Sequence, residues 1–238
     1  MTGRLQDRVA LITGASRGIG AAVALRFAAE GAHVVLVART RGGLEDIDDR
    51  IRKEHGDARA ATLLELDLKN LDQVDMIGPT IAERFGRLDI VIGNAGLLGE
   101  MTPMNHIEAD VWSDVIDVNL NANWRLIRTT DPLLRASDAG RAVYVTSGAA
   151  QGKRPYWGAY AVSKAALEMM VTCWAAETEK TKLKINLIDP GATRTSMRAE
   201  AYPGEDPASV KTPEDLTGYF VDLAAPDCTS HGEVIRAY

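Results

Sequence analysis

Tyr160 and Lys164 stand four residues apart in a run of helical period (157–179), so both project from one face of a helix. A phenol with a pKa of about 10 is a poor base at neutral pH. An ammonium group one turn further along the helix favours its ionised form by charge attraction. Ser147 lies thirteen residues before Tyr160, just beyond the β-branched run 141–146, where its hydroxyl can hold a substrate oxygen. Reducing a carbonyl group requires an acid for the developing alkoxide and a polar clamp on its oxygen, and these three side chains could supply both. Tyr/Lys pairs at this spacing also occur on many ordinary helices. The pair therefore carries weight only through the elements that position it.

Those elements alternate between short β-branched runs and longer segments of helical period, the pattern of βαβ units. Strands are expected at 8–13, 33–38, 59–66, 88–93, 141–146, 183–188 and 233–237. Helices are expected at 18–30, 43–54, 71–85, 109–134 (with a break near Pro132), 157–179 and 213–223. The polar stretch from Asp189 to about Thr212 shows no periodicity. No repeat or linker appears. The expected fold class is α/β, a single-domain Rossmann-type doubly wound parallel sheet of about seven strands with helices on both faces. Residues 7–93 would form mainly a cofactor-binding half and 94–238 a catalytic half, with a substrate loop at about 194–212. Ligand would bind where the strand C-termini meet at the topological switch point.

The first strand runs into Thr13-Gly14-Ala15-Ser16-Arg17-Gly18-Ile19-Gly20. The spacing is G-x3-G-x-G, and its context of strand, glycine turn and helix suits a pyrophosphate at the helix N-terminus. Side chains at Gly14 or Gly20 would obstruct backbone approach to the phosphates and helix–strand packing. An acidic residue closing the second strand would accept from the ribose hydroxyls of NAD. Here Ala38 and Arg39 occupy that place, and Arg17 lies in the glycine loop. Two guanidinium groups with no carboxylate between them favour the 2′-phosphate of NADP(H) over NAD(H). Asp67, with Leu68 beside it, follows the third strand and could accept from the adenine amino group or simply cap a turn.

Thr13–Gly20, Asp67, Asn94-Ala95-Gly96, Asn119, Ser147, Tyr160-x-x-x-Lys164 and Pro190-Gly191 follow the order and spacing of the short-chain dehydrogenase/reductase family, which the sequence resembles from Arg8 to about Thr195. The resemblance implies that Asn94-Ala95-Gly96 backs the cofactor and that Pro190-Gly191 with Thr193 covers its nicotinamide end. It gives Asn119 the task of bridging a water to Lys164, and it places Ser16, Gly18 and Ile19 with the glycines around the cofactor. Gly93 departs from the pattern, since the family often has an additional Asn there. Asn94–Gly99, 146–164 and 193–213 are similar to a bacterial branch, the YciK-type reductases. The implied activity is that of an alcohol:NAD(P) oxidoreductase (EC 1.1.1.-), physiologically a reductase. Within the family a 3-oxoacyl-thioester reductase is an alternative, and outside catalysis a non-catalytic NADP(H)-binding regulator. A serine hydrolase fits poorly, because only His231 falls late enough to complete a triad.

The net charge of -6 disfavours nucleic acid and anionic membrane as partners. No apolar run reaches the roughly 18 residues of a bilayer span, and 1–7 contains no leader-like apolar core, so a cytoplasmic location is expected. Cys173 and Cys228 are read as reduced, partly buried thiols. With the four histidines scattered, no metal site is expected. Met197, Tyr202 and Pro203 of the substrate loop, with Leu97, Leu98, Met101, Met104, Tyr156 and Trp157, are candidate pocket residues. Lys153, Arg154, Arg194 and Arg198 suggest a basic rim, which could attract an acidic substrate or be no more than solvated charge. Val162, Ala165, Ala166, Met169, Met170, Cys173 and Trp174 put apolar residues on more than one face of helix 157–179. The surplus points to a homotetramer or homodimer.

Overall fold

The computed structural model describes residues 3–238; Met1 and Thr2, part of the segment read as lacking a leader, lie outside them. Its centre is one seven-stranded sheet, parallel throughout, in the order β3-β2-β1-β4-β5-β6-β7. In chain order the elements begin β1 (Val9–Thr13), α1 (Gly18–Ala29), β2 (His33–Ala38), α2 (Arg41–His55), β3 (Thr62–Glu65), α3 (Leu71–Asp75) and α4 (Ile77–Phe85). They continue with β4 (Ile90–Gly93), α5 (Ala109–Ile116), α6 (Ala122–Ala136), β5 (Arg141–Val145) and α7 (Gly158–Thr178). Last come β6 (Lys184–Asp189), α8 (Ser196–Ala201), α9 (Thr217–Ala224) and β7 (Val234–Arg236).

Because both faces of a parallel sheet are covered, its strands are apolar at successive positions. Ala10, Ile12, Val34, Leu36 and Val143 face a core closed by Phe27 of α1, Leu44 of α2 and Phe220 of α9. Val9, Leu11, Val35, Val37 and Ala142 face the other way, against Leu126 of α6 and Leu167 and Trp174 of α7. Trp174 thus belongs to the core, its Nε1 donating to Asp131 at 2.8 Å, and not to the surplus apolar face of α7. Chain reversal between β1 and β4 opens the switch point at the strands' C-terminal ends.

Three helical expectations are corrected. The helix expected over 71–85 is two, separated at Met76. Thr129 Oγ1 inserts there, donating to Asp75 O and accepting from Gly78 N, and α6 lies so close that a Cβ on Gly78 would be 2.2 Å from Thr129 O. The stretch 109–134 breaks not at Pro132 but at a π turn, Asp117–Asn121. The helix crosses Pro132 because the carbonyl that proline leaves bare, that of Arg128, lies on an exposed residue. The aperiodic stretch after Asp189 contains α8, a helix of six residues whose N-terminus is capped by Thr195 Oγ1, accepting from Arg198 N at 3.2 Å. Among the described residues no helix is long and apolar enough to cross a membrane. Cys173 is exposed, not partly buried, and Cys228 is half-buried; both thiols are free.

Candidate active site

One cleft at the switch point is walled by the β1–α1 loop, the ends of β2 to β6 and α8. Gly14 has φ of +66°, open to glycine at little cost, and a Cβ there would lie 2.9 Å from Asn94 Nδ2. At Gly20 a Cβ would lie 2.3 Å from Gly14 O. These two glycines therefore let α1 close onto β1 and Asn94. Asn94 Nδ2 donates to Thr13 O (2.9 Å) and Gly14 O (3.3 Å), and Thr13 Oγ1 accepts from the N–H groups of Asn94 and Ala95. The ends of β1 and β4 are thereby locked together.

The first turn of α1 has no side-chain cap at Arg17, which leaves its leading N–H groups and positive dipole open to an anion. Ser16, Gly18 and Ile19 line the cleft beside it. Arg17 and Arg39 are exposed on the same cleft wall and form no ion pair among the described residues. Asp67 Oδ1 accepts from Lys69 N at 3.0 Å, which is the turn-capping role, while Oδ2 makes no hydrogen bond among the described residues. Leu68 lines the cleft but is mostly buried. This donor set (free helix N–H groups, two unpaired guanidiniums and glycine clearance) fits a dinucleotide carrying an additional phosphate.

Across the cleft, Ser147 leaves β5 in extended conformation, and its Oγ accepts from Ala149 N at 3.2 Å. Tyr160 and Lys164 occupy the first two turns of α7, both buried. Lys164 Nζ donates to Val145 O at 2.8 Å and lies 5.7 Å from the Tyr160 ring centroid. It has no carboxylate partner among the described residues, and burial pushes its pKa down to about 8. Burial is also the main influence on Tyr160, and it pushes the phenol up; the Ser147 hydroxyl opposes the rise, Asp189 adds to it and Arg154 opposes it. The phenol is therefore held in its protonated form, whereas the lysine charge was expected to favour the phenolate.

Asn119 sits in the π turn with no exposure to solvent. Its Oδ1 accepts from Leu97 N (2.7 Å), and its Nδ2 donates to Leu97 O and Ser163 Oγ (both 2.9 Å). A Cβ on Gly96 would lie 3.3 Å from Asn119 Oδ1 and 3.6 Å from Lys164 Nζ, so both side chains reach this glycine. Pro190 and Gly191 line the cleft with Thr193, whose Oγ1 donates to Gly191 O at 3.3 Å. Ser163, three residues after Tyr160, is a buried partner of this set that sequence reasoning missed, and its short polar side chain carries no pattern beyond its place inside the Tyr160–Lys164 motif.

Leu98, Ala149, Trp157, Met197 and Ala201 pack around Tyr160 as an apolar sleeve. Of the expected basic rim, Arg198 is bound in bidentate fashion by Glu205 (2.6 and 2.5 Å) and stacks on Tyr202. Arg194 Nε donates to Pro207 O, and Arg154 lies over Trp157. His231 accepts from Ile185 N and bonds Ala175 O, so its ring holds β6 to α7 and takes no part in the site.

A parallel sheet in this order, with a glycine loop at its switch point and a Ser/Tyr/Lys set facing it, defines a nicotinamide-type oxidoreductase fold. The chain belongs to the short-chain dehydrogenase/reductase family, whose short chain dehydrogenase model matches residues 8–206. Among particular relatives, it is 41% identical over 223 residues to the oxidoreductase YciK of Escherichia coli K12, covering 94% of this chain and 88% of that protein. The crystal structure of a short chain dehydrogenase from E. coli CFT073 complexed with NADPH superposes with a TM-score of 0.95 at 39% identity, covering 100% of this chain and 99% of the other. An oxidoreductase of Mycobacterium tuberculosis CDC 1551, described as NAD-dependent, is 34% identical over 206 residues, 82% of this chain and 74% of its own length.

Proposed function

We propose that the chain is an NADP(H)-dependent oxidoreductase interconverting a carbonyl compound and an alcohol, and that it works as a reductase. The reading rests on one observation: Ser147, Tyr160 and Lys164 face the glycine loop across a single cleft. The nicotinamide cofactor supplies the hydride. Ser147 Oγ holds the carbonyl oxygen, and Tyr160 gives that oxygen its proton as negative charge develops. A phenol whose proton is held firmly by burial suits the reductive direction, because it must stay protonated until the carbonyl arrives. Lys164, with a pKa brought down to about 8, is poised to return a proton to the phenolate near neutral pH. Asn119 acts by position, since both its amide hydrogens are engaged; a water relay from Lys164 would have to rest on oxygen atoms.

Residues 7–93 supply the cofactor half: Gly14, Ser16, Gly18, Ile19 and Gly20 at the pyrophosphate, Asp67 and Leu68 at the adenine. Asn94, Ala95, Gly96, Pro190, Gly191 and Thr193 hold the nicotinamide end from the catalytic half, 94–238, and 194–212 forms the lid. Relatives point to both NADPH and NAD, and Arg17 with Arg39 favours the phosphorylated form. We place the protein in the cytoplasm as a homodimer or homotetramer. The exposed Val162, Met169 and Cys173 of α7 and Trp124 of α6 would form the interface, a monomeric mass in light scattering being the contrary result. The central test is Tyr160→Phe: NADPH affinity should persist while turnover on a panel of carbonyl compounds falls by about 10²–10⁴-fold. Undiminished turnover would remove Tyr160 from the chemistry.

A further inference from the structure

Glu168 lies one helical turn beyond Lys164 on α7, half-buried, and the mechanism above does not use it. Tyr160, Lys164 and Glu168 follow one another at intervals of four, so one side of the helix carries all three. Lys164 Nζ donates to the carbonyl of Val145, the last residue of β5. One turn later Glu168 Oε1 accepts from Thr146 Oγ1 at 2.7 Å, and Glu168 Oε2 accepts from Gln151 Nε2 at 3.3 Å.

Ser147 stands between those two contacts. Thr146 immediately precedes it, and Gln151 follows after the short helical turn Gly148–Ala150. The turn's own bonds are internal, Ala149 N donating to Ser147 Oγ at 3.2 Å and Ala150 N to Ser147 O at 2.9 Å. They shape the turn without fixing it against α7. Thr146 is buried, and its N–H donates to Ile188 O at 2.9 Å, which holds the backbone to β6 and leaves the hydroxyl for α7. At the far end Gln151 Oε1 accepts from Arg236 Nη2 of β7 at 3.0 Å, so the amide that meets Glu168 is itself oriented. Among the described residues, the two bonds of Glu168 are the only side-chain hydrogen bonds between the segment 146–151 and α7.

We infer that Glu168 is a positioning residue for Ser147. Its carboxylate grips the chain on both sides of the serine and fixes the hydroxyl relative to the helix that carries Tyr160 and Lys164. The inference rests on reading Ser147 as the clamp on the carbonyl oxygen. Glu168 does not line the cleft, so its influence passes through the serine. A group aimed at a reacting atom loses its effect steeply when displaced, and a bracket of this kind therefore acts on rate and not on cofactor binding.

Two readouts test it. Amide exchange followed by mass spectrometry, without substrate, should show Ala149 and Ala150 exchanging about tenfold or more faster in Glu168→Ala, with the interiors of β5 and α7 unchanged. Steady-state NADPH oxidation, with the carbonyl compound that the unsubstituted protein reduces fastest, should fall by about 10–100-fold in Glu168→Ala at unchanged NADPH affinity. Glu168→Gln, which keeps an oxygen for Thr146 Oγ1, should recover most of that rate. Made in Ser147→Ala, the Glu168→Ala change should cost less than about twofold more, because the serine it positions is gone. Thr146→Val breaks the same bond from the other side and gives the same comparison if Glu168→Ala does not fold. Unchanged exchange at Ala149 and Ala150, exchange that quickens across the whole chain, or an equal loss of rate with and without Ser147 overturns the inference. If exchange quickens as expected while Ser147→Ala keeps full turnover, the positioning stands and the reading of Ser147 as the clamp fails.

Discussion

Replacing Lys164 by methionine should give a more stable protein at neutral pH and an inactive one. The lysine is buried, and among the described residues it is hydrogen-bonded only to Val145 O at 2.8 Å and has no counter-charge. The fall of its pKa from 10.5 to about 8 corresponds to about 3 kcal/mol, at about 1.4 kcal/mol per pH unit. The sign follows from proton counting. The folded value lies below the unfolded one, so between about pH 8 and 10.5 the unfolded chain binds more protons and stability rises with pH. Below about pH 8 the full penalty is present; above 10.5 it is gone. Methionine has similar length and no charge, but it leaves Val145 O without a donor, at a cost of about 1–3 kcal/mol. The variant should therefore gain up to about 2 kcal/mol at pH 7 and lose about 1–3 kcal/mol above pH 10.5. Urea unfolding at both pH values reads this as midpoint shifts of opposite sign at unchanged slope. A loss of stability at pH 7, or a difference that ignores pH, would refute the view of Lys164 as a buried charge retained for chemistry at the expense of stability.

Arg39→Ala and Arg17→Ala should each weaken NADPH binding by about 10–100-fold and leave NADH binding nearly unchanged in isothermal titration, as a lost charge-assisted contact requires. Equal losses for both cofactors would remove these arginines from phosphate recognition. Gly20→Ala forces a Cβ to 2.3 Å from Gly14 O and 2.6 Å from Asn94 Nδ2, and should cost about 1–3 kcal/mol in denaturant unfolding. Gly42→Ala, with nothing within 4 Å and a helical place in α2, should instead gain about 0.5–1 kcal/mol.

Most of the sheet was legible because β1, β2, β4, β5 and β6 are short apolar runs buried at nearly every position, and the glycine loop because its turn allows no side chain at Gly14 and Gly20. What escaped the sequence depends on contacts between distant segments. The π turn at Asp117–Asn121 keeps apolar spacing close to helical, and only the bonds of Asn119 to Leu97 and Ser163 reveal why the helix widens there. The break at Met76 comes from Thr129 on another helix. The burial of Asp189, which the sequence shows only as the start of an aperiodic polar stretch, appears only in the folded chain. Of the basic rim, Arg198 has its charge taken up by Glu205 seven residues away, a pairing the residue types alone do not show.

The placement of Asn119 explains how a phenol on one helix can be aimed at a cofactor wall built by other elements. Its amide grips both backbone groups of Leu97, just beyond β4, and donates to Ser163 Oγ. Ser163 in turn donates to Tyr160 O at 2.8 Å, one residue before Lys164. Asn123 Nδ2 takes up Asn119 O at 2.9 Å, so the widened turn leaves that carbonyl paired. A single buried amide thus fixes the register of α7 against the strand that carries Asn94-Ala95-Gly96. Every group in this network has a partner, and a satisfied buried network holds one geometry because any slip leaves polar atoms without partners. The precision of the Tyr160–Lys164 pair is therefore set by neutral polar residues around it, while its proton chemistry is set by burial and by the charges that burial leaves unpaired.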